Sequence, residues 1–411
     1  MKDMSSDVIF NSELFASQVF SHFERVFGLV RPSSIQEAGS WCSELLERVG
    51  KLRNVDLVVK YDLQNFEKTC YSEGEVIERR SATVLGPPKE YLVTDVQRVR
   101  GRSVELSFIT IPCGAILQLS DFGAIYFDKQ LNILHDISTP YYPLIFLCDI
   151  DVRARFSAVA VDPRPAICFF DRFSEANYAH WLLDGCSRLV GARHGDVVVT
   201  MPLNSRWQTQ LLELFNSKEC EFDQLVAGEL KSYASIRVDI YGGGAVPHPA
   251  YKANAVAIDH LRDAAARQLS SPITAVPEAL VIKRYGAREL VNSSKIEDML
   301  VSRGYAVTLV DCAKIPVVAQ WALFSRADVI VSVHGAALAN IVFAKPGSLC
   351  IEIFPENYGN QEFWMLSHSV SCDYIALTDV KDVGDSRARY RSLKLNQSIV
   401  SKLADLVPAS A

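Results

Sequence analysis

Two groups of residues in this chain carry side chains fit for chemistry. The first is the run Asn177-Tyr178-Ala179-His180-Trp181-Leu182-Leu183-Asp184. Read at helical spacing, Asn177, His180 and Asp184 share one face, and Tyr178, Leu182 and Leu189 share another. A neutral imidazole near pH 7 can take a proton from a hydroxyl. His180 is therefore the first candidate for a general base, and Asp184 the second. Asn177 and Trp181 are candidates for orienting an acceptor. A polar helix face is commonly just solvated, but one with a histidine and a tryptophan alongside is unusual for a plain surface. The second group is Arg284, Arg288, Asp311, His334-Gly335-Ala336, Asn340 and Glu352. A guanidinium fork donates two parallel hydrogen bonds to a phosphate. A carboxylate suits a ribose diol. Any one of these residues alone reads as surface charge or as a cap. The set reads as a nucleoside diphosphate site.

The elements that must position the second group are legible in the stretch 327–355, ADVIVSVHGAALANIVFAKPGSLCIEIFP. Val329-Ile330-Val331-Ser332-Val333 is an apolar, β-branched run of the kind that forms a buried parallel strand. His334-Gly335 breaks it, and Ala336 to Asn340 begins a helix of good formers. A strand that turns sharply into a helix aims free backbone N–H groups, at the positive end of the helix dipole, toward the turn. Gly335 lets backbone come close to a ligand. Around this stretch, strands are expected at 280–285, 305–310 and 349–353, with helices at 294–303 and 316–326. Ser294 and Glu297 match a capping box. Strand–helix–strand repetition implies a parallel sheet with right-handed crossovers. In such a sheet ligands bind beyond the carboxyl ends of the strands, where Arg284, Arg288, Asp311, His334 and Glu352 all fall.

The helix at 177–190 belongs to an earlier α/β region. There strands are expected at 144–147, 166–170, 196–200 and 236–240, and helices at 205–215 and 253–270. Before it, 76–138 reads as short β-rich runs between Gly, Pro and Asp turns, an antiparallel hairpin array. Helices are expected at 12–30, 35–50 and 398–407. The expected division is 1–272, including the β-rich region 76–138; 273–382, the nucleotide-binding unit; and 383–411, a terminal helix packing back on the body.

Composition sets the outer limits. A chain of 411 residues is long enough for two or three domains with sizeable cores. Its net charge of -6 argues against a nucleic-acid partner. The 10 cysteines are scattered without zinc-ligand spacing and read as buried thiols in a reducing compartment. No basic segment with a long apolar core opens the chain. No run approaches the ~18 apolar residues of a membrane span. A cytoplasmic enzyme is the expectation, with peripheral membrane association and oligomeric state left open. Asp149-Ile150-Asp151 reads as a strand-end turn, and Gly242-Gly243-Gly244 lacks dinucleotide-binding spacing. No G-x-S-x-G elbow, Walker A loop or H-E-x-x-H is present.

Taken in order, Asn177 to Trp181, the Arg284…Arg288…Asn292 spacing, Gln320 before Ala327-Asp328, His334-Gly335-Ala336-Ala337-Leu338-Ala339-Asn340 and Glu352-Ile353 resemble glycosyltransferase family 61. The resemblance covers roughly 166–355. It implies an α/β GT-B fold of two Rossmann-like domains facing a cleft, with the β-rich hairpin region added in the N-terminal half. It also implies an inverting mechanism with no cofactor or required metal. The donor is expected to be a nucleoside diphosphate sugar, UDP-linked, and the acceptor a glycan or lipid-linked glycan. Arg284, Arg288, His334, Gly335, Ala336, Asn340 and Glu352 are then donor-side residues, and Glu352 meets the ribose. Family members include plant xylosyl- and arabinosyltransferases, animal protein-linked N-acetylglucosaminyltransferases and bacterial polysaccharide enzymes. Without a targeting segment, this chain is expected to be of the bacterial surface-polysaccharide type. A nucleotide-sugar epimerase and a non-catalytic sugar-nucleotide or glycan-binding scaffold are the competing readings.

Overall fold

A computed structural model describes residues 59–60, 65–73, 76–78, 82–87, 100–102, 105–118, 124–134, 137–138, 159–169, 177–226, 229–239, 254–269, 276–356, 359–383 and 391–410. The helices expected at 12–30 and 35–50, the strand at 144–147, the Asp149-Ile150-Asp151 turn and the Gly242-Gly243-Gly244 loop lie outside these. The chain divides into two units. One is Met1–Glu73 with Glu105–Ala250; the other is Gly74–Val104 with Tyr251–Ala411.

The first unit is built on a mixed sheet. Strands β1 (Leu106–Pro112) and β2 (Ala115–Gln118) follow one another in the same direction, β3 (Ala124–Phe127) returns antiparallel to β2, and β4 (Val161–Cys168), β5 (Val197–Thr200), β6 (Glu221–Gln224) and β7 (Leu230–Asp239) run parallel. The order is β3-β2-β7-β4-β5-β6, and β7 joins the two kinds by pairing antiparallel with β1 and β2. Ile109, Ile111, Ile116, Ala166, Val197, Val199 and Ile236 form its core. Helix α1 (Arg206–Phe215) starts in a capping box, Ser205 with Gln208, and buries Leu211, Leu212 and Phe215.

The second unit carries a parallel sheet. Its strands are β8 (Glu278–Ile282), β9 (Ala306–Val310), β10 (Val329–Val333), β11 (Leu349–Ile353) and β12 (Asp373–Leu377), in the order β9-β8-β10-β11-β12, with Thr83–Leu85 added in parallel at the β12 edge. Helices α2 (Ala255–Ala266), α3 (Ser294–Ser302), α4 (Val317–Arg326), α5 (Glu362–Ser369) and α6 (Gln397–Leu406) belong to the same unit. Strand alternation puts Val281, Val331, Val333, Ile351 and Ile353 into one core with Ile296, Leu300, Ile399 and Leu403 of α3 and α6. Where the chain order reverses, between β8 and β10, two connections leave in opposite directions and a crevice opens at the carboxyl ends.

Three expectations change. The boundary expected at 272 falls after Ala250, because α2 belongs with the second unit. Its Arg262 donates Nε to the Val342 carbonyl at 2.8 Å and Nη2 to the Ala344 carbonyl at 2.5 Å. The β-rich stretch is not one hairpin array: β1 to β3 complete the first unit's sheet, whereas Thr83–Leu85 pairs with β12 in the second. At α3 the cap is Ser293, whose Oγ donates to Glu297 Oε1 at 2.8 Å, one residue ahead of the expected Ser294. The exchange of chain between the sheets has no local signature, because an edge strand of three residues carries too little periodicity to declare its partner.

Candidate functional site

The carboxyl ends of β8 and β10 bring the second group of residues together. Lys283 continues β8 by donating its N–H to the Val310 carbonyl at 2.7 Å, and Arg284 follows it. The loop then turns through Gly286 and Arg288, both left-handed, with φ of 80° and 59°. For an arginine that conformation costs about 1–2 kcal/mol. It is held by its surroundings: Leu393 donates to the Glu289 carbonyl at 2.7 Å, Val291 donates to the Leu393 carbonyl at 2.9 Å, and Arg288 Nη1 donates to the His334 carbonyl at 2.7 Å. Gly335 lies against Arg284. A Cβ built on it would run into Nη1 of that guanidinium. Its φ of 167° is ordinary extended backbone, so glycine is required there for space and not for conformation.

Ala336 opens a 3₁₀ helix, Ala336–Phe343, where an α-helix was expected. Leu338, Ala339, Asn340, Ile341, Val342 and Phe343 are all buried in it, so burial around the whole element has overridden α propensity. It still leaves N–H groups at the turn. Beside this turn a cavity of about 130 Å³ is lined by Lys283, Arg284, Tyr285, Ser293, Ser332 and the apolar ends of β8 and β10. Two guanidinium groups, a helix N-terminus and a small cavity thus meet at the switch point of one sheet.

Three of the expected donor contacts are structural. Glu352 is fully buried, and both its oxygens are taken: Oε1 by His334 Nδ1 at 2.5 Å, and Oε2 by the Tyr374 hydroxyl. It orients His334 and faces no ribose. His334 itself is 3% exposed and stacks on Phe354, ring centroids 5.3 Å apart. Asn340 is fully buried, donating to Gln320 Oε1 at 2.9 Å, while Gln320 Nε2 donates to the Cys312 carbonyl at 2.8 Å. This buried pair ties the 3₁₀ helix to α4. Asp311 caps the turn Cys312–Lys314 by accepting from the Ala313 N–H at 3.1 Å.

In the first unit His180 Nδ1 lies 2.8 Å from Asp184 Oδ2, with side-chain exposures of 17% and 5%. A carboxylate that accepts from Nδ1–H leaves the lone pair on Nε2, the atom that would take a proton. The helix expected over 177–190 is a short α turn, Tyr178–His180, followed by a π-helical stretch, Trp181–Cys186. Such stretches recur at functional sites. Asn177 is the N-cap, accepting from the Ala179 N–H at 3.0 Å. Trp181 is wholly buried between Phe169 and Trp207, at centroid distances of 4.7 and 5.8 Å. Asn177, half-buried, thus caps the helix start, and the Trp181 ring is taken up by packing.

Residues 178–351 match the family model described as Glycosyltransferase 61. Over this span the chain is similar to glycosyltransferase family 61. A stretch of 93 residues is 34% identical to a rice (Oryza sativa subsp. japonica) protein described as beta-1,2-xylosyltransferase XAX1, and covers 22% of this chain and 16% of that relative. The chain thus matches well under two thirds of the relative's length. Among solved structures, the bacterial iron-containing dodecameric glycosyltransferase TibC from enterotoxigenic E. coli H10407 aligns over 69% of this chain and 81% of its own, at 10% identity and a TM-score of 0.29.

The matched segment contains His180, Asp184, Arg284, Arg288 and the whole His334–Asn340 turn, and stops one residue before Glu352. Tyr374 lies beyond it and was not found by motif. Its signal is a tyrosine in a strand otherwise apolar at its buried positions. Among the described residues, no three His, Cys, Asp or Glu side chains are grouped to hold a metal. Burial pushes the Cys312 thiol up to about 12 and the Cys372 thiol up to about 11, so neither is a thiolate near neutral pH. No helix among the described residues is long and apolar enough to cross a membrane.

Proposed function

We propose that this protein is an inverting glycosyltransferase that moves a sugar from a nucleoside diphosphate sugar, UDP-linked, to a glycan hydroxyl in bacterial surface-polysaccharide synthesis. The observation that carries the reading is the guanidinium of Arg284 resting on Gly335 at the β8–β10 switch point. The acceptor oxygen attacks the anomeric carbon from the face opposite the diphosphate. The bond from that carbon to the diphosphate breaks, and its electron pair leaves with the phosphate. Arg284, Arg288 and the N–H groups of the turn would meet the charge that develops there, the task a bound cation performs in other transferases. Two charge-assisted hydrogen bonds are worth ~1.5–3 kcal/mol each. The acceptor proton goes to His180 Nε2, with Asp184 holding the ring by Nδ1. A GT-B architecture, a cytoplasmic location and independence of a resident cofactor belong to the same proposal.

Calorimetry with UDP tests the donor half. Arg284→Ala should weaken binding about tenfold or more; unchanged affinity removes Arg284 from the site. His180→Ala should abolish transfer to a glycan acceptor while UDP binding survives. Conversion of a UDP-sugar without any acceptor would favour an epimerase. Binding without turnover of any donor would favour a scaffold.

A further inference from the structure

We propose that Tyr374 and Glu352 are positioning residues for the diphosphate seat, acting through His334; this rests on the donor-binding reading of the β8–β10 rim. The three side chains form a ladder across three strands. Glu352 pairs with Ser332 of β10 on one side and Ala376 of β12 on the other, and Tyr374 pairs with Cys350. Alternation puts Cys350, Glu352, Tyr374 and Ala376 on one face of the sheet, away from the core of Val331, Ile351 and Ile375. From its diagonal position Tyr374 reaches the Glu352 carboxylate. His334 extends the β10 ladder by one residue, its N–H donating to the Ile353 carbonyl at 2.9 Å.

Exposures of 8% for Tyr374, none for Glu352 and 3% for His334 remove the ladder from water. A carboxylate in such a place is costly unless each oxygen has a donor. Here the Tyr374 O–H donates to one oxygen and the His334 Nδ1–H to the other, which fixes both tautomer and ring plane. The rings of Phe354 and Phe363, at centroid distances of 5.3 and 5.6 Å, close the imidazole in. The backbone of this locked residue carries the seat. Its carbonyl accepts from Arg288, and the next residue, Gly335, has Arg284 against it. One immobilised histidine therefore sets the place of both guanidinium groups, and Tyr374 and Glu352 act on them through it.

The experiment compares the full chain with its Tyr374→Phe, Glu352→Gln and Tyr305→Phe variants. UDP binding is followed by calorimetry, and the His334 imidazole by its nitrogen and proton shifts. Tyr305 is the control: a buried tyrosine of the same unit whose hydroxyl donates to the Pro408 carbonyl at 3.1 Å, far along the chain from the turn. The expected result is a shifted His334 signal and UDP affinity lowered about tenfold in Tyr374→Phe and Glu352→Gln, with both unchanged in Tyr305→Phe even where its melting point falls. A merely structural role would move the melting points and leave the affinity of the folded protein alone. His334 shifts that do not move in Tyr374→Phe overturn the proposal. So does unchanged UDP affinity in that variant when Arg284→Ala has lost it. A wild-type chain that binds no UDP overturns the donor reading itself, and the His334 shifts then still decide whether Tyr374 and Glu352 position the ring.

Discussion

At the scale of single residues, Gly335 makes the sharpest case. A methyl group there meets the far end of the Arg284 side chain and no backbone atom at comparable range. The Gly335→Ala protein should therefore fold, within about 1 kcal/mol of wild type, because a flexible side chain moves aside. What it loses is the position of the guanidinium. UDP affinity should fall about as far as in Arg284→Ala, and the double variant should be no weaker than either, a coupling that calorimetry on all four proteins reads directly. Additive losses would separate the two residues. The same scale shows how residue type misleads. Glu352, Asn340 and Trp181 have side chains that suit a ribose, a phosphate and an acceptor. All three are buried and turned to His334, Gln320 and Phe169. Sequence spacing reports that such residues gather. It does not report whether a side chain points at the ligand or at the residue that does, because that depends on strand register and on which face is covered.

At the scale of elements, β8 to β11 and helices α2, α3, α4 and α6 follow from apolar periodicity, to within a few residues at each end, whereas β12 and α5 do not. Their order does not, and the order is what makes a site of the β8 and β10 ends. The 3₁₀ helix Ala336–Phe343 shows the limit of propensity. Ala-Ala-Leu-Ala is a strong α-former, yet the element is short, buried and anchored at both ends. Arg262 is the anchor at its C-terminus, placing positive charge where the carbonyls gather. Arg262→Ala leaves two carbonyls without that partner and should destabilise the protein by about 1–3 kcal/mol. Amide exchange across 336–343 should quicken more than in β8 or β11. Uniform quickening throughout the second unit would mean that Arg262 supports the unit as a whole and not this helix.

At the scale of the whole molecule, the proposed donor chemistry lies in one unit and the proposed base in the other. The division also cuts across the sequence, since Thr83–Leu85 serves the second unit's sheet from inside the first unit's span. A donor bound to folded protein raises its stability by an amount set by concentration over Kd, about 2.7 kcal/mol at a hundredfold excess. That gain goes to the unit that holds the ligand. Saturating UDP should therefore slow amide exchange in the second unit first, at the 284–293 loop and the 334–340 turn. The parallel strands β4 to β6 of the first unit should exchange as before. Because the added stability scales with the logarithm of ligand concentration, the protection should grow with UDP in the same proportion at both segments. Arg284→Ala should lower it at both together, to about 1.4 kcal/mol at the same UDP concentration for a tenfold loss of affinity, since one guanidinium lies at the start of the loop and against the turn. Protection that is undiminished in Arg284→Ala, or that centres on the first unit, would place the nucleotide elsewhere.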